Sequence, residues 1–432
     1  MKILFISDNY PPYIKAGSEV STSLLAKWLS QQGHNVSVAC STFADKPWIE
    51  NAAIVYPIIP RAFLKSENFL SAIGHVFKLI IQQFIATIRV LKLIRRLKPE
   101  IVNIIPSSYR FIPIIIGVRI FSNCPVVIDC RGYDLICPAS LSPSYLDKKK
   151  DFDEETQTYH GYRCIGYSSK NDFSFLSVRP FALYESSIFN LYKASVRFVI
   201  NHFGGIKLVG VSKYVQRQLI LNGFKAEKTT SIYNISEHLQ KLPNLQSKIP
   251  TFGFGGRIET DKGVWDLIAA TELLQRELKS PFIVKIAGMG GEFINLQKYI
   301  KENNLTQVIL LGHVRPDEIL ALYGESIAVV APSRWPEPFG RFILESMSVG
   351  KPIIATRSGG ITENIEGGVT GLLVDIGNVE QLAAAMRYFI ENPEKVILMK
   401  DAIREKQKQY SADFIGEKRL ELYKDLISGE LK

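Results

Sequence analysis

Short apolar runs recur along the whole chain, and longer amphipathic stretches separate them. The runs are Ile3–Ile6, Val36–Ala39, Ile101–Ile105, Val126–Asp129, Leu208–Val211, Phe252–Gly255, Ile283–Ala287, Val308–Leu311, Ala328–Ala331, Ile353–Thr356 and Leu372–Val374. Runs of this length, bounded by turn residues, read as buried strands. Between them SLLAKWLSQQG and VEQLAAAMRYFIE carry the three-to-four spacing of a helix face. Strands alternating with helices argue for parallel sheets, since a parallel neighbour needs a crossover long enough to hold a helix. The pattern pauses at SEHLQKLPNLQSKIP (Ser236–Pro250), a polar stretch with two prolines. At 432 residues the chain is too long for one ordinary core. The expectation is therefore two doubly wound α/β domains, over 1–238 and 251–410, with a linker over 239–250. A closing helix within 411–432 is free to pack back on the first domain. Ligands are expected outside the C-terminal ends of the strands.

Composition narrows the partners. Apolar residues make up 46% and charged residues 22%, as in globular proteins, and the net charge is +10. That excess suits phosphorylated ligands, nucleic acid or an acidic membrane surface. The basic residues are spread and no nucleic-acid motif occurs, so no nucleic-acid partner is expected. Five cysteines (Cys40, Cys124, Cys130, Cys137, Cys164) form no CxxC pair, and their number is odd. A reducing, cytoplasmic setting is the simpler expectation than a disulfide framework or a zinc site. The opening MKILFISDNYPP lacks a signal peptide's n-region and cleavage site.

One segment departs from the alternation. Glu67–Pro99 (ENFLSAIGHVFKLIIQQFIATIRVLKLIRRLKP) is apolar and basic, with Lys78, Arg89, Lys92, Arg95, Arg96 and Lys98 and no acid between Glu67 and Glu100. Its charges exclude a spanning helix. Two readings fit: one or two helices covering the first sheet, or a basic amphipathic face on anionic lipid over 67–99.

The second half concentrates glycine turns at strand ends. GFGGRIETDKG (Gly253–Gly263) follows a strand and sets Arg257 and Lys262 five apart before a helix, where they can meet a diphosphate. IAGMGGE (Ile286–Glu292) and RSGGITE (Arg357–Glu363) end two further strands. In APSRWPEPFGRFILESMSVGKPIIA, the strand ending near Pro332 gives way to a loop and then a short helix over Arg341–Val349. The free N–H groups of that helix suit an anion. Glu337 lies in the loop and Glu345 one turn into the helix. Carboxylates there can accept vicinal sugar hydroxyls, but spacing alone favours a simply exposed Glu337 and a Glu345 that caps or solvates the helix. Several such turns in one domain suggest a nucleotide site, although neither a P-loop nor a GxGxxG is present.

GGRIETDKG, IAGMGGE, the EPFGRFILE loop-helix and SGGITENIEGGVTGLLV, in that order, resemble retaining glycosyltransferase family 4, the group 1 glycosyltransferases. KILFISDNYPPYIKAGSEVSTSLLAKWLSQQGHNVSV, GVSKYVQRQLILNGF and TTSIYN resemble its N-terminal half more loosely. The resemblance implies the GT-B fold: two Rossmann-like doubly wound domains facing across a cleft, with the nucleotide-sugar donor bound mainly by the second and the acceptor by the first. It implies catalytic roles for Glu337, beside the transferring sugar, and for Arg257 and Lys262, which would stabilise the departing diphosphate. It implies donor contacts from Gly17, Gly256, Gly288, Phe339, Gly340, Arg341 and Glu345, the last on the ribose. Where many members carry a histidine after the strand PVVID, this chain has Arg131, also a candidate donor contact. Ala16 replaces the first of the family's two usual glycines.

The activity so implied is that of a hexosyltransferase-type, metal-independent enzyme needing no cofactor. It would take a sugar from a UDP-sugar, or next a GDP-sugar, to a lipid-linked or polysaccharide acceptor, with retained configuration. The literal D-x-D at Asp151–Asp153 sits in a charged stretch and reads as a solvated loop. The alternatives are a GT-B nucleotide-sugar epimerase and an inactive nucleotide-sugar-binding relative.

Overall fold

The computed structural model of the chain describes residues 1–13, 17–41, 46–59, 69–106, 111–136, 152–153, 158–159, 191, 193–236 and 248–430, with side chains of 69–80 and of the 152–153 and 158–159 pairs not described. Ala16, Cys137, Cys164, His160, Asp151, most of the 147–172 stretch and all but the end of the expected linker lie outside these residues. The chain divides into two compact units, one of Met1–Ile235 with Ile415–Lys432, the other of Ser236–Phe414.

The first unit is built on an eight-stranded sheet. Its strands are β1 (Lys2–Ser7), β2 (Asn35–Cys40), β3 (Trp48–Glu50), β4 (Ala53–Pro57), β5 (Ile101–Ile105) and β6 (Val126–Cys130), then, after a separate two-residue pair β7 (Phe152–Asp153) and β8 (Thr158–Tyr159), β9 (Ile206–Gly210) and β10 (Thr229–Ser231). The order across the sheet is β10-β9-β6-β5-β1-β2-β4-β3. Every pairing is parallel except that of β3 with β4. Five-residue β5 and β6 are buried at every position, as strands covered on both faces must be. Helices α1 (Gly17–Gln31), α2 (Phe69–Leu97), α3 (Ile112–Phe121), α4 (193–202) and α5 (Lys213–Leu221) make the crossovers. Ser212 starts α5 by accepting a hydrogen bond from the Val215 N–H at 3.1 Å. The 67–99 segment forms one helix, not two. It runs 29 residues and stops where Lys98 turns to φ 47° before Pro99.

The second unit holds a six-stranded, wholly parallel sheet of β11 (Thr251–Gly255), β12 (Ile283–Ala287), β13 (Val308–Gly312), β14 (Ala328–Ala331), β15 (Ile353–Thr356) and β16 (Gly371–Val374). Its order is β13-β12-β11-β14-β15-β16. Helices α6 (Val264–Glu277), α7 (Phe293–Glu302), α8 (Pro316–Glu325), α9 (Arg341–Ser348), α10 (Val379–Glu391) and α11 (Glu394–Lys408) connect and flank the strands. The last helix, α12 (Ala412–Ser428), belongs to the first unit from Ile415 onward. There a glycine, Gly416, lies against the indole of Trp28 on α1. The strand order reverses direction between β11 and β14. In such sheets ligands ordinarily bind at this reversal, outside the C-terminal ends of the strands.

Candidate functional site

The loops after β11 and β14 flank that reversal, and they carry the charged residues singled out from sequence. The Lys262 ammonium lies 2.5 Å from Glu337 Oε1, both side chains mostly buried. Ser333 Oγ reaches the same carboxylate oxygen at 3.1 Å. Glu337 is thus held from two sides, not splayed into solvent. Arg257, half exposed, touches Asp261 Oδ2 at 3.3 Å. Burial raises the Asp261 carboxyl above its ordinary range, against the pull of Lys262 and Arg257.

The backbone fixes the two loops to each other. The Asp261 carbonyl accepts from the Arg334 and Trp335 N–H groups at 2.8 and 3.1 Å. Gly263, at φ 69°, packs so tightly on the Pro332 carbonyl that an added Cβ would lie 1.8 Å from its oxygen. Arg334 forks onto the Asp266 carboxylate, one contact at 2.6 Å. The loop after β15 closes the third side. Gly360 N–H donates to the Glu337 carbonyl at 2.7 Å, and Gly359, at φ 56°, would place a Cβ 2.4 Å from that oxygen. Ser358 Oγ donates to the Trp335 carbonyl at 2.5 Å.

The remaining second-unit candidates surround this core. Gly256 and Gly288 abut, since the Gly256 carbonyl lies where a Gly288 Cβ would be. Gly340 caps α9 at φ 88°, its carbonyl accepting from the Ile343 N–H at 3.0 Å. Arg341 and Glu345 pair one turn apart at 2.8 Å. Phe339 is buried, its ring edge-on to Tyr410 at 5.9 Å, so its side chain packs within the unit. Nine candidates therefore share the second unit: Gly256, Arg257, Lys262, Gly288, Glu337, Phe339, Gly340, Arg341 and Glu345.

Gly17 and Arg131 lie in the first unit, where they meet each other's surroundings. Arg131 follows β6 and donates Nη1 to the carbonyl of Ser18, next to Gly17 at the start of α1. Its Nη2 lies 3.5 Å from Asp129 Oδ2. Burial lowers the Arg131 pKa from its usual value, opposed by Asp129. Asp129 is also the ion partner of Arg419 on α12 and accepts from Asn103 Nδ2 at 3.1 Å, while Tyr423 OH donates to Asn103 Oδ1 at 2.7 Å. Asp129, Arg131 and Arg419 line a small pocket with Ser21, Val211 and Tyr233.

Sequence reasoning missed Ser333, Asp261, the Arg334–Asp266 fork and the Asp129–Arg419 cluster. Ser333 had a signal, being a hydroxyl placed directly after a strand in APSRWPEPFG. Arg419 had none, since its partner is far away in sequence. Among the described residues, no group of three or more His, Cys, Asp or Glu side chains is placed to hold a metal ion. Nor is any helix among them long and apolar enough to cross a membrane.

Comparison with known proteins gives these loops a setting. A model of the family "Glycosyl transferases group 1" matches residues 236–409, nearly the whole of the second unit. An uncharacterised glycosyltransferase of Methanocaldococcus jannaschii is 29% identical over 59% of this chain and 69% of its own length. An uncharacterised protein of the cps region of Klebsiella pneumoniae is 25% identical over 98% of this chain and all of its own. Among solved structures, Anabaena HepE in complex with UDP superposes with a TM-score of 0.66 at 20% identity, covering 98% of this chain and 100% of that one. The two Rossmann-like doubly wound units are those of the GT-B fold, as the resemblance implied.

Proposed function

We propose that the chain is a retaining, hexosyltransferase-type glycosyltransferase. It moves a sugar from a nucleotide-sugar donor, a UDP-sugar first and a GDP-sugar second, to a lipid-linked or polysaccharide acceptor on the cytoplasmic side. The observation that carries this reading is the Lys262–Glu337 pair at the strand reversal, with Arg257 beside it and the N-terminus of α9 behind it. A diphosphate at that strand reversal would meet two cations and the positive N-terminal end of α9. As the bond to the anomeric carbon breaks, negative charge grows on the departing phosphate. Lys262 and Arg257 stabilise that charge, the service a metal ion gives in other transferases, so none is required.

Glu337 faces the sugar and acts by position and charge on its oxocarbenium-like state, not as a nucleophile. The acceptor oxygen attacks on the face the phosphate leaves, and the phosphate takes its proton, so no separate protein base is invoked. Glu345 accepts from the ribose hydroxyls by exchanging its contact with Arg341. The UDP held by HepE supports the donor class.

The test is an NMR assay with chelator and no added metal, offering UDP-, GDP- and ADP-sugars to the wild type, Glu337→Ala and Lys262→Ala. Nucleotide release with a sugar of retained configuration, lost in both variants, is expected. A changed sugar still attached to its nucleotide identifies an epimerase. Binding without turnover, with candidate glycolipid and glycan acceptors present, identifies an inactive relative.

A further inference from the structure

Helix α2 buries one face and, among the described residues, leaves the other without a partner. Gln83, Ala86, Val90, Leu93 and Ile94 are buried, and Thr87 meets Gly117 of α3. On the opposite face Ile81, Phe84, Ile85 and Ile88 are 51, 64, 38 and 51% exposed. Their spacing is i, i+3, i+4, i+7, so they form one continuous apolar stripe and not scattered surface residues. The same face continues for two turns as Arg89, Lys92, Arg95 and Arg96, all exposed. Arg96 lies over the Tyr56 ring at 5.0 Å, and Arg89 reaches the Ile58 carbonyl at 3.4 Å. Lys92 and Arg95 make no hydrogen bond or ion pair among the described residues. The helix has no acidic residue, and Glu100 just beyond it accepts from the Lys2 N–H at 2.7 Å.

We infer that this outward face of α2 lies on an anionic lipid surface, Ile81, Phe84, Ile85 and Ile88 entering the headgroup–acyl boundary and Lys92 and Arg95 meeting lipid phosphates. A folded protein partner would have to supply several carboxylates beside an apolar groove. An anionic bilayer offers both as one continuous surface. Because the inner face is already committed to the protein core, the helix can lie in the interface plane without leaving the fold. A lipid-linked acceptor would be met at that same surface. Vesicle binding is read without turnover, so this inference stands or falls apart from the proposed reaction.

The experiment is co-sedimentation of the full chain with vesicles of phosphatidylcholine alone or with one-third phosphatidylglycerol, at low and high salt. Binding is expected only to the anionic vesicles, and it is expected to weaken at high salt. The exposed pair Lys92→Gln/Arg95→Gln is expected to weaken it about 20-fold, roughly five-fold per charge. Phe84→Ser/Ile88→Ser is expected to weaken it more than about tenfold. Lys298→Gln/Lys408→Gln, equal in charge and placed elsewhere, is the control and should change little. No binding to anionic vesicles at low salt overturns the inference, as does a loss no greater than the control's. Sedimentation velocity closes the other route: a dimer that Phe84→Ser/Ile88→Ser dissociates would assign the face to a second copy of the chain instead.

Discussion

Both cations of the candidate site already have carboxylates, Lys262 with Glu337 and Arg257 with Asp261. The pairs differ in strength. Arg257 is half exposed and its contact is 3.3 Å, whereas Lys262 is mostly buried at 2.5 Å. Exposed pairs are worth little, so on the proposed reading Arg257 would exchange partners readily while Lys262 would stay bridged between donor and Glu337. Lys262→Met should lower kcat/KM about 100- to 1,000-fold, with the circular dichroism spectrum unchanged. Arg257→Met should act mainly on donor KM. Both glutamates were legible in the sequence through the family resemblance of the EPFGRFILE stretch, and not through its spacing. The partners of Glu337 were not, since Lys262 lies 75 positions away and only the fold brings it near. A second residue-scale effect concerns Lys351, behind α9. Burial, then Lys400, depresses its pKa from 10.5 to about 8. A lysine depressed on folding costs stability while it is charged: the cost is full below pH 8 and fades as pH rises toward 10.5. Lys351→Met should therefore raise stability by about 3 kcal/mol at pH 7, with little gain left near pH 10.5. Urea midpoints at both pH values check it, and an equal gain at both would contradict the burial argument.

At the scale of elements, the eleven apolar runs all became strands because buried parallel strands are nearly continuous hydrophobic stretches. The strands not foreseen are short or peripheral. β3 has three residues and leaves Ile49 74% exposed, and β10 also has three, too few to show a period. What the sequence could not convey is how closely the site loops press together. Gly263 and Gly368 both have left-handed backbones, at φ 69° and 78°, yet only Gly263 has a carbonyl where its Cβ would go. Gly368→Ala should cost about 1 kcal/mol in backbone strain alone. Gly263→Ala must also push the β14 loop away, and should cost about 3 kcal/mol. It should weaken donor binding as well, because Lys262 and Glu337 sit on the two loops it separates. Paired denaturation curves and donor titrations distinguish the two variants. Equal losses in both would mean that the loops are not in register as described.

For the whole molecule, the first unit is discontinuous: it takes in Met1–Ile235 and then Ile415–Lys432. Sequence left the last helix open to either domain because its apolar face names no partner, and the decisive contacts are polar. Tyr423 reaches Asn103 across 320 positions, and Arg419 meets Asp129, whose side chain is 1% exposed. A carboxylate so buried is tolerable only while its cations stay. Arg131 lies 3.5 Å away with Nη1 occupied by Ser18, so Arg419 bears most of the compensation. Arg419→Met should then destabilise the protein by about 3–5 kcal/mol, the range for breaking a buried pair from one side. Asp129→Asn alone should cost a similar amount, because it leaves the buried Arg419 and Arg131 guanidiniums without a counter-charge. The double variant should recover part of what Arg419→Met loses, a coupling of about 1–3 kcal/mol. A double-mutant cycle by chemical denaturation measures it. Strict additivity would mean that α12 is held by Gly416 on Trp28 and its apolar face alone, with the ion pair contributing nothing specific to closing the unit.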